Sequence, residues 1–533
     1  MALGWGVRGT FGHEAGAMMA GGLLGMAVCL ASGRPDWYRR TAVAGLAGAV
    51  GWAWGGSLSY MEHTKYSLSD SFPDALYGYS ILFFLGALWA GIGGAILGLA
   101  FTLPRSELKK FVGPLTLMGA SFLVMYLYFL FNPEQATAYE DFTILNFHDG
   151  DWLPATITLV IGALYWVVRP RDRSATNLVL FGSIAWWIGY GGLTKIGGLL
   201  LAPPFRSESW GGVLGILVYF LFHLSRSKNR AALMLAQYGL LAGGIGFVLA
   251  VFLRHPFETD WAFLADWKNK TPWKVAEESF GFFMGWGMAY GAWTLLRGGL
   301  KPAEEDEPRT HFDVFSVFVV LIAAMWMNLR RVPMDWIHRY DSAPKEPLWG
   351  LDPWVWYTLV GCALTAIAIY MLALYRKGNL SLAPSTAFGK GLFLFLALLW
   401  LQTLGSAMQR ITDRENIARL IVDLSFIALA TWATLLALSR GREAKVAKIP
   451  VAATVDSSDE RWKVGPKYWF LWGLSPVIVV AVTLASMAMQ EGPHPDLGRK
   501  RFGPDAYWRQ QEEAGKTDRR GLLPHGVPIP DTN

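Results

Sequence analysis

Apolar residues in this chain gather into runs of about 18–25, each broken by a short polar stretch. Runs of that length predict membrane-spanning helices, because ~20 residues at ~1.5 Å rise cross the hydrocarbon core. Inside lipid every backbone N–H and C=O needs an internal partner, and a helix supplies it. The ten-residue alternation of a membrane barrel is not found. The pattern predicts about fourteen spans, at about 13–32, 41–60, 77–103, 110–131, 152–168, 176–202, 208–225, 230–253, 274–296, 311–329, 353–375, 388–407, 415–438 and 467–489. The fold class expected is therefore an all-α, polytopic integral membrane protein.

Composition supports that expectation. Of 533 residues, 53% are hydrophobic and only 17% are charged, against about 25% charged in an ordinary soluble domain. The connections alternate in charge. RPDWYRR, PRSELKK, RPRDRS, SRSKNR, RGGLKPAEEDEPR, RKGNLSL and the SRGREAKVAK stretch form a basic set. NPEQATAYEDFTILNFHDGD and MEHTKYSLSDSFPD represent the other set. Basic connections stay in the cytoplasm, which places both termini outside. Arg330 and Arg331 fall against this rule. The net charge of +6 then reads as loop Lys and Arg rather than a nucleic-acid surface, since no basic block is interleaved with aromatics.

The expected location is a bacterial cytoplasmic (inner) membrane, with the lipid bilayer as partner. The N-terminal MALGWGVRGTFGHE lacks a basic n-region and a cleavage pattern, so the first span is expected to be retained. A main bundle is expected over 1–440, an inner loop and last span over 441–489, and an extracytoplasmic polar tail over 490–533.

One phrase recurs. SESWGGVLG, headed by Glu208, and EESFGFFMG, headed by Glu278, share Glu-Ser-aromatic-Gly and open apolar runs. The runs before them also correspond: GAVGW at Gly48 matches GSIAW at Gly182, and Gly-Gly follows at Gly55-Gly56 and Gly191-Gly192. This predicts a parallel, Gly-rich internal repeat near 41–103, 176–225 and 230–296, of the kind found in transporters. The glycines themselves suit close helix–helix approach.

Ionisable residues inside membrane spans are costly, by ~3 kcal/mol on insertion scales, and so mark functional candidates. His13, Glu14, Glu62, His63, Lys195, Glu208, Glu277, Glu278, Arg410 and Asp423 all fall in, or at the outer ends of, the predicted spans. Their placement suggests one polar cavity open to the exterior. Lys195 calls for a carboxylate partner, with Glu14, Glu278 and Asp423 as candidates. Glu208 also suits the positive end of a helix dipole. Abundant Trp in the outer loops fits an interfacial belt, or stacking against sugars.

The chain has no GxxxxGK[ST], GxSxG, HExxH or CxxCH. Its two cysteines, Cys29 and Cys362, lie in apolar runs. No cofactor and no metal are expected. Three functions fit: a secondary transporter for a polar solute, with carbohydrates and organic ions as candidate solutes and the proton as candidate coupling ion; a membrane glycosyl- or acyl-transferase at the outer face; and a non-catalytic scaffold. The candidates above are then ligands of substrate or proton, with no catalyst assigned.

Overall fold

A computed structural model of the chain describes every residue except 12, 59, 132–151, 200, 202–207, 258–271, 304–309, 331–349, 378–389, 411–416, 444–454 and 490–533. The acidic stretch at 132–151, most of the Trp-bearing connections, Arg331 and the C-terminal residues 490–533 therefore lie outside the described residues. What is described is all-α, apart from an isolated parallel bridge between Leu300 and Val455.

The helices in chain order are α1 (Ala2–Phe11), α2 (His13–Ala31), α3 (Pro35–Tyr38), α4 (Thr41–Ala53), α5 (Met61–Ser67), α6 (Phe72–Thr102), α7 (Arg105–Lys109), α8 (Val112–Phe131) and α9 (Trp152–Val168). Then follow α10 (Arg173–Gly189), α11 (Trp210–Arg226), α12 (Arg230–Arg254), α13 (Pro272–Arg297), α14 (Thr310–Arg330), α15 (Pro353–Lys377), α16 (Lys390–Arg410), α17 (Ile417–Glu443) and α18 (Pro466–Ala488). Helix starts follow local chemistry. Pro35 and Pro466 each open a helix after an extended residue. Asn229 caps α12 by accepting from the Ala232 amide, 3.2 Å away.

The expectation of about fourteen spans is not met. Among the described residues, five helices are long and apolar enough to cross a membrane: Phe72–Thr102, Arg105–Met125, Arg230–Phe257, Ile421–Arg440 and Pro466–Ala488. A sixth exists if Trp152–Val168 and Pro170–Ile196, bent by 114° at their junction, count as one. The apolar helical stretches Ala15–Ala31, Trp210–Arg226, Phe312–Ile322 and Gly391–Ala407 have 10–17 residues. At ~1.5 Å per residue they reach at most about 25 Å, short of a ~30 Å core. The run at 41–60 is cut at Trp54–Ser57 by a 3-10 turn. α13 carries Lys274, Glu277 and Glu278 near its start and is rich in Gly and Trp, so it is long but weakly apolar. Without the span count, the alternation that placed both termini outside loses its basis.

The repeat is also corrected. Its leading helices do not share one ending: α4 and α12 run into 3-10 turns, at Trp54–Ser57 and His255–Phe257, whereas α10 runs into a π-helical turn over Tyr190–Ile196. Their glycines meet unlike partners. Gly48 of α4 packs on Gly21 of α2, Gly189 of α10 packs on Gly211 of α11, and Gly243 of α12 packs on Gly86 of α6. The shared letters reflect a common packing device, not a repeated architecture.

The chain forms two compact units. The larger comprises Met1–Gly56, Phe83–Lys109 and Leu221–Gly492. Its interior is aromatic: Trp5 meets Trp89 edge-on at 4.8 Å and Phe280 at 4.9 Å, and Phe247 stacks on Phe280 at 4.3 Å. Buried Arg105 binds Asp313 through Nε at 3.0 Å and Nη2 at 3.2 Å. The smaller unit comprises Ser57–Leu82 and the described residues of Lys110–Phe220. There α9 and α10 pair where Gly162 lies against Leu180, and Trp186 stacks on Tyr190 at 4.8 Å.

Candidate functional site

In the smaller unit the end of α10 unwinds into wider turns. The Gly197 amide donates to the Gly192 carbonyl at 2.9 Å, five residues back, and the Thr194 hydroxyl donates to the Tyr190 carbonyl. Paired glycines at 191–192 and 197–198 make such widening easy, and π-turns of this kind recur at functional sites. Lys195 sits in this turn, half-buried, with its Nζ 5.5 Å from the Tyr190 ring centroid. The charge of Glu208 acts on the Lys195 ammonium and on the Tyr77 phenol.

Two hydrogen bonds tie that carboxylate to its surroundings. The Leu201 amide donates to Glu208 Oε2 at 3.0 Å, and the Tyr77 hydroxyl donates to the Leu201 carbonyl at 3.1 Å. His63, buried on α5, lies 6.4 Å from the Tyr77 ring, and Tyr66 lies 5.4 Å from it. Gly191 and Gly192 face open space: a Cβ on either would meet nothing within 4 Å. The smaller unit thus gathers a cation, an acid, a phenol and an imidazole beside a vacant stretch of helix surface.

A second polar group belongs to the larger unit. Arg8 of α1, only 1% exposed, lies 3.8 Å from Glu277 and is held against the rings of Trp5 and Trp89, at 4.9 and 5.0 Å. Lys274 Nζ donates to Glu277 Oε2 at 2.9 Å and to the Gly6 carbonyl at 2.6 Å. Glu278 is half-buried and makes no hydrogen bond or ion pair with a described residue. Burial pushes its carboxyl up to about 7, with the Lys274 charge opposing and the Glu277 charge adding. A Cβ on Gly6 would stand 2.6 Å from Phe426 Cε1 and 2.8 Å from Glu278 Cγ, so glycine is what lets α1 lie there. Asp423, buried on α17, is one turn before Phe426.

Of the candidates read from the sequence, His63, Lys195 and Glu208 come together in the smaller unit, while Glu277, Glu278 and Asp423 belong to the larger. His13 and Glu14 open α2, Glu62 lies in α5 and Arg410 ends α16; their side chains are outside the described residues. The carboxylate acting on Lys195 is Glu208, which the sequence offered as a helix-end charge rather than as its partner. Sequence reasoning missed Tyr77, Arg8 and the two short helices α1 and α5. The signals were slight: a Tyr in YGYS, and one Arg among the glycines of GWGVRGTF. Among the described residues no group of three or more His, Cys, Asp or Glu is placed to hold a metal. No protein-family model, no curated protein and no solved structure matches this chain.

Proposed function

We propose that this protein is an integral, multi-pass secondary transporter of a polar solute in a bacterial cytoplasmic membrane, with the Lys195–Glu208–Tyr77 group as its solute site. The observation that carries this reading is Lys195 itself: an ammonium in a π-helical turn, on which the Glu208 charge acts, beside the vacant face of Gly191 and Gly192. Interrupted helices whose loosened ends meet ions and solutes are the working parts of many transporters. Ionisable groups among apolar helices stay where they bind something or one another. The five long apolar helices, and large apolar side chains exposed along α9, α17 and α18, suit a lipid surround. A carbohydrate or organic ion fits the mixed donors and acceptors.

The test uses the purified protein in proteoliposomes offered labelled sugars, organic acids and organic cations in turn. The expected result is lumenal accumulation of one class, chemically unchanged. Lys195→Ala and Glu208→Gln should each lower it by about tenfold or more, the loss of one charge-assisted contact, while the protein stays folded and inserted. Label recovered joined to lipid or glycan would favour the transferase. A panel that neither crosses nor reacts would favour the scaffold. Wild-type uptake by both variants would remove the site.

A further inference from the structure

Within the smaller unit the chain turns by 114° between α9 and α10. The two helices then lie against each other. Trp166 Nε1 donates to Asn177 Oδ1 at 2.9 Å, and a Cβ on Gly162 would stand 3.1 Å from Leu180 Cα. The tip of this fold is RPRDR, residues 169–173, with Asp172 as its single acid. Arg169, Arg171 and Arg173 are all exposed there. Lys110, in the chain leading into α8, reaches the same corner, with its Nζ 3.3 Å from Ser174 Oγ. α8 begins pressed against the end of α9, since a Cβ on Gly113 would overlap the Tyr165 hydroxyl.

Four cations therefore share one corner, and the corner is built. The Arg173 guanidinium lies 4.6 Å from the centroid of the Trp166 ring, which Asn177 holds in turn. Arg169 and Arg171 form no ion pair with a described residue. Directly before the tip, α9 presents an apolar stripe. Val160, Leu164, Val167 and Val168 are exposed, the last two by 70% and 69%. At ~1.5 Å per residue the stripe is about 12 Å long, most of the ~15 Å depth of one leaflet. No polar residue separates Val168 from Arg169. A soluble phosphate or a nucleic acid would match the cations and leave the stripe bare. A phospholipid has both parts in the right order. We infer that this corner binds an anionic phospholipid, its phosphate on the arginines and an acyl chain along the stripe. Arginine forks take phosphate oxygens in pairs. Anionic lipid marks the cytoplasmic leaflet, so the tip faces the cytoplasm. The inference rests on the membrane part of the proposed function and needs no transport.

The test places the full chain in phosphatidylcholine vesicles with a trace of phospholipid that carries a photoactivatable acyl chain. The tracer has a phosphatidylglycerol or a phosphatidylcholine headgroup, and adducts are mapped by peptide mass spectrometry. Peptides covering 160–168 should be labelled with a preference for phosphatidylglycerol of about tenfold or more. Arg169→Gln, Arg171→Gln and Arg173→Gln together should bring the two lipids level. Lysine at the same three positions should keep part of the preference, because the charge stays and the fork goes. Added salt should lower the preference of the wild type, a reading that does not depend on how any variant folds. Equal labelling by both lipids in the wild type overturns the inference. So does a preference indifferent to salt, or one that persists in the folded glutamine variant. Displacement of the tracer by glycerol phosphate in solution also overturns it, because the corner is then a site for soluble phosphate. Adducts at Ile421–Arg440 with none at 160–168 would mean that another part of the chain covers the stripe; the lipid site falls and the membrane reading stands. Adducts at neither place overturn both. Uptake that fails while the lipid preference holds counts against the transporter alone.

Discussion

Gln402 sits fully buried on α16, and neither its amide nitrogen nor its oxygen has a hydrogen-bond partner among the described residues. Its neighbours along the helix, Leu398, Leu399 and Leu401, belong to an apolar core. An unanswered buried amide costs about 1–3 kcal/mol. Gln402→Leu, close in volume, should therefore leave stability unchanged or raise it by roughly 1 kcal/mol, read as a higher unfolding temperature in detergent. A fall of that size would mean the amide is answered after all. The same question of partners separates Glu277 from Glu278, and Lys195 from the acids first proposed for it. Residue type was enough to mark these positions: charges among apolar runs are rare and conspicuous. Who answers whom was not legible, because it depends on turns. The Glu208 charge acts on Lys195, and its carboxylate is tied to the Leu201 amide just beyond the π-helical turn. Lys274 reaches Gly6 only because an N-terminal helix forms where the glycines of GWGVRGTF argue against one.

At the scale of the helix, glycine does two different jobs that sequence cannot tell apart. Gly86 and Gly243 bring α6 and α12 into backbone contact; a Cβ on Gly243 would overlap the Gly86 carbonyl oxygen. Gly243→Val should force the two helices apart and cost about 1–3 kcal/mol or more, seen as a lower unfolding temperature and a loss of monodisperse protein. Gly192, by contrast, faces nothing. Gly192→Ala fits the space and removes backbone freedom, so stability should hold or rise by about 0.5–1 kcal/mol. If the vacant face receives solute, the bulkier Gly192→Leu should cut uptake while the protein stays folded; undiminished uptake would argue that solute passes elsewhere. Helix positions were largely legible, since apolar runs and turn residues mark them. Helix lengths were not. Trp54–Ser57 ends α4 within an apolar run, and the 114° bend between α9 and α10 decides whether two segments count as one span.

For the whole molecule the decisive question is how much of it meets lipid. The buried tryptophans Trp5, Trp37, Trp52 and Trp89 fill the interior of the larger unit. Trp432, within the apolar helix Ile421–Arg440, is 61% exposed, and Trp469, near the start of Pro466–Ala488, is 57% exposed. Both indoles thus stand largely outside the packed interior of the described residues, on strongly apolar helices. In water such a surface would drive association, by about 25 cal/mol for each Å2 covered; in a bilayer it costs nothing. Brominated acyl chains quench only the indoles they touch. Protein reconstituted in dibrominated phospholipid should lose part of its tryptophan fluorescence, and Trp432→Phe with Trp469→Phe should shrink the quenched fraction. The buried four should keep their emission throughout. Five or six helices crossing the membrane require that division between quenched and protected tryptophans. Emission indifferent to bromination would place α17 and α18 against protein or water, and the apolar helices would then be the interior of an assembly.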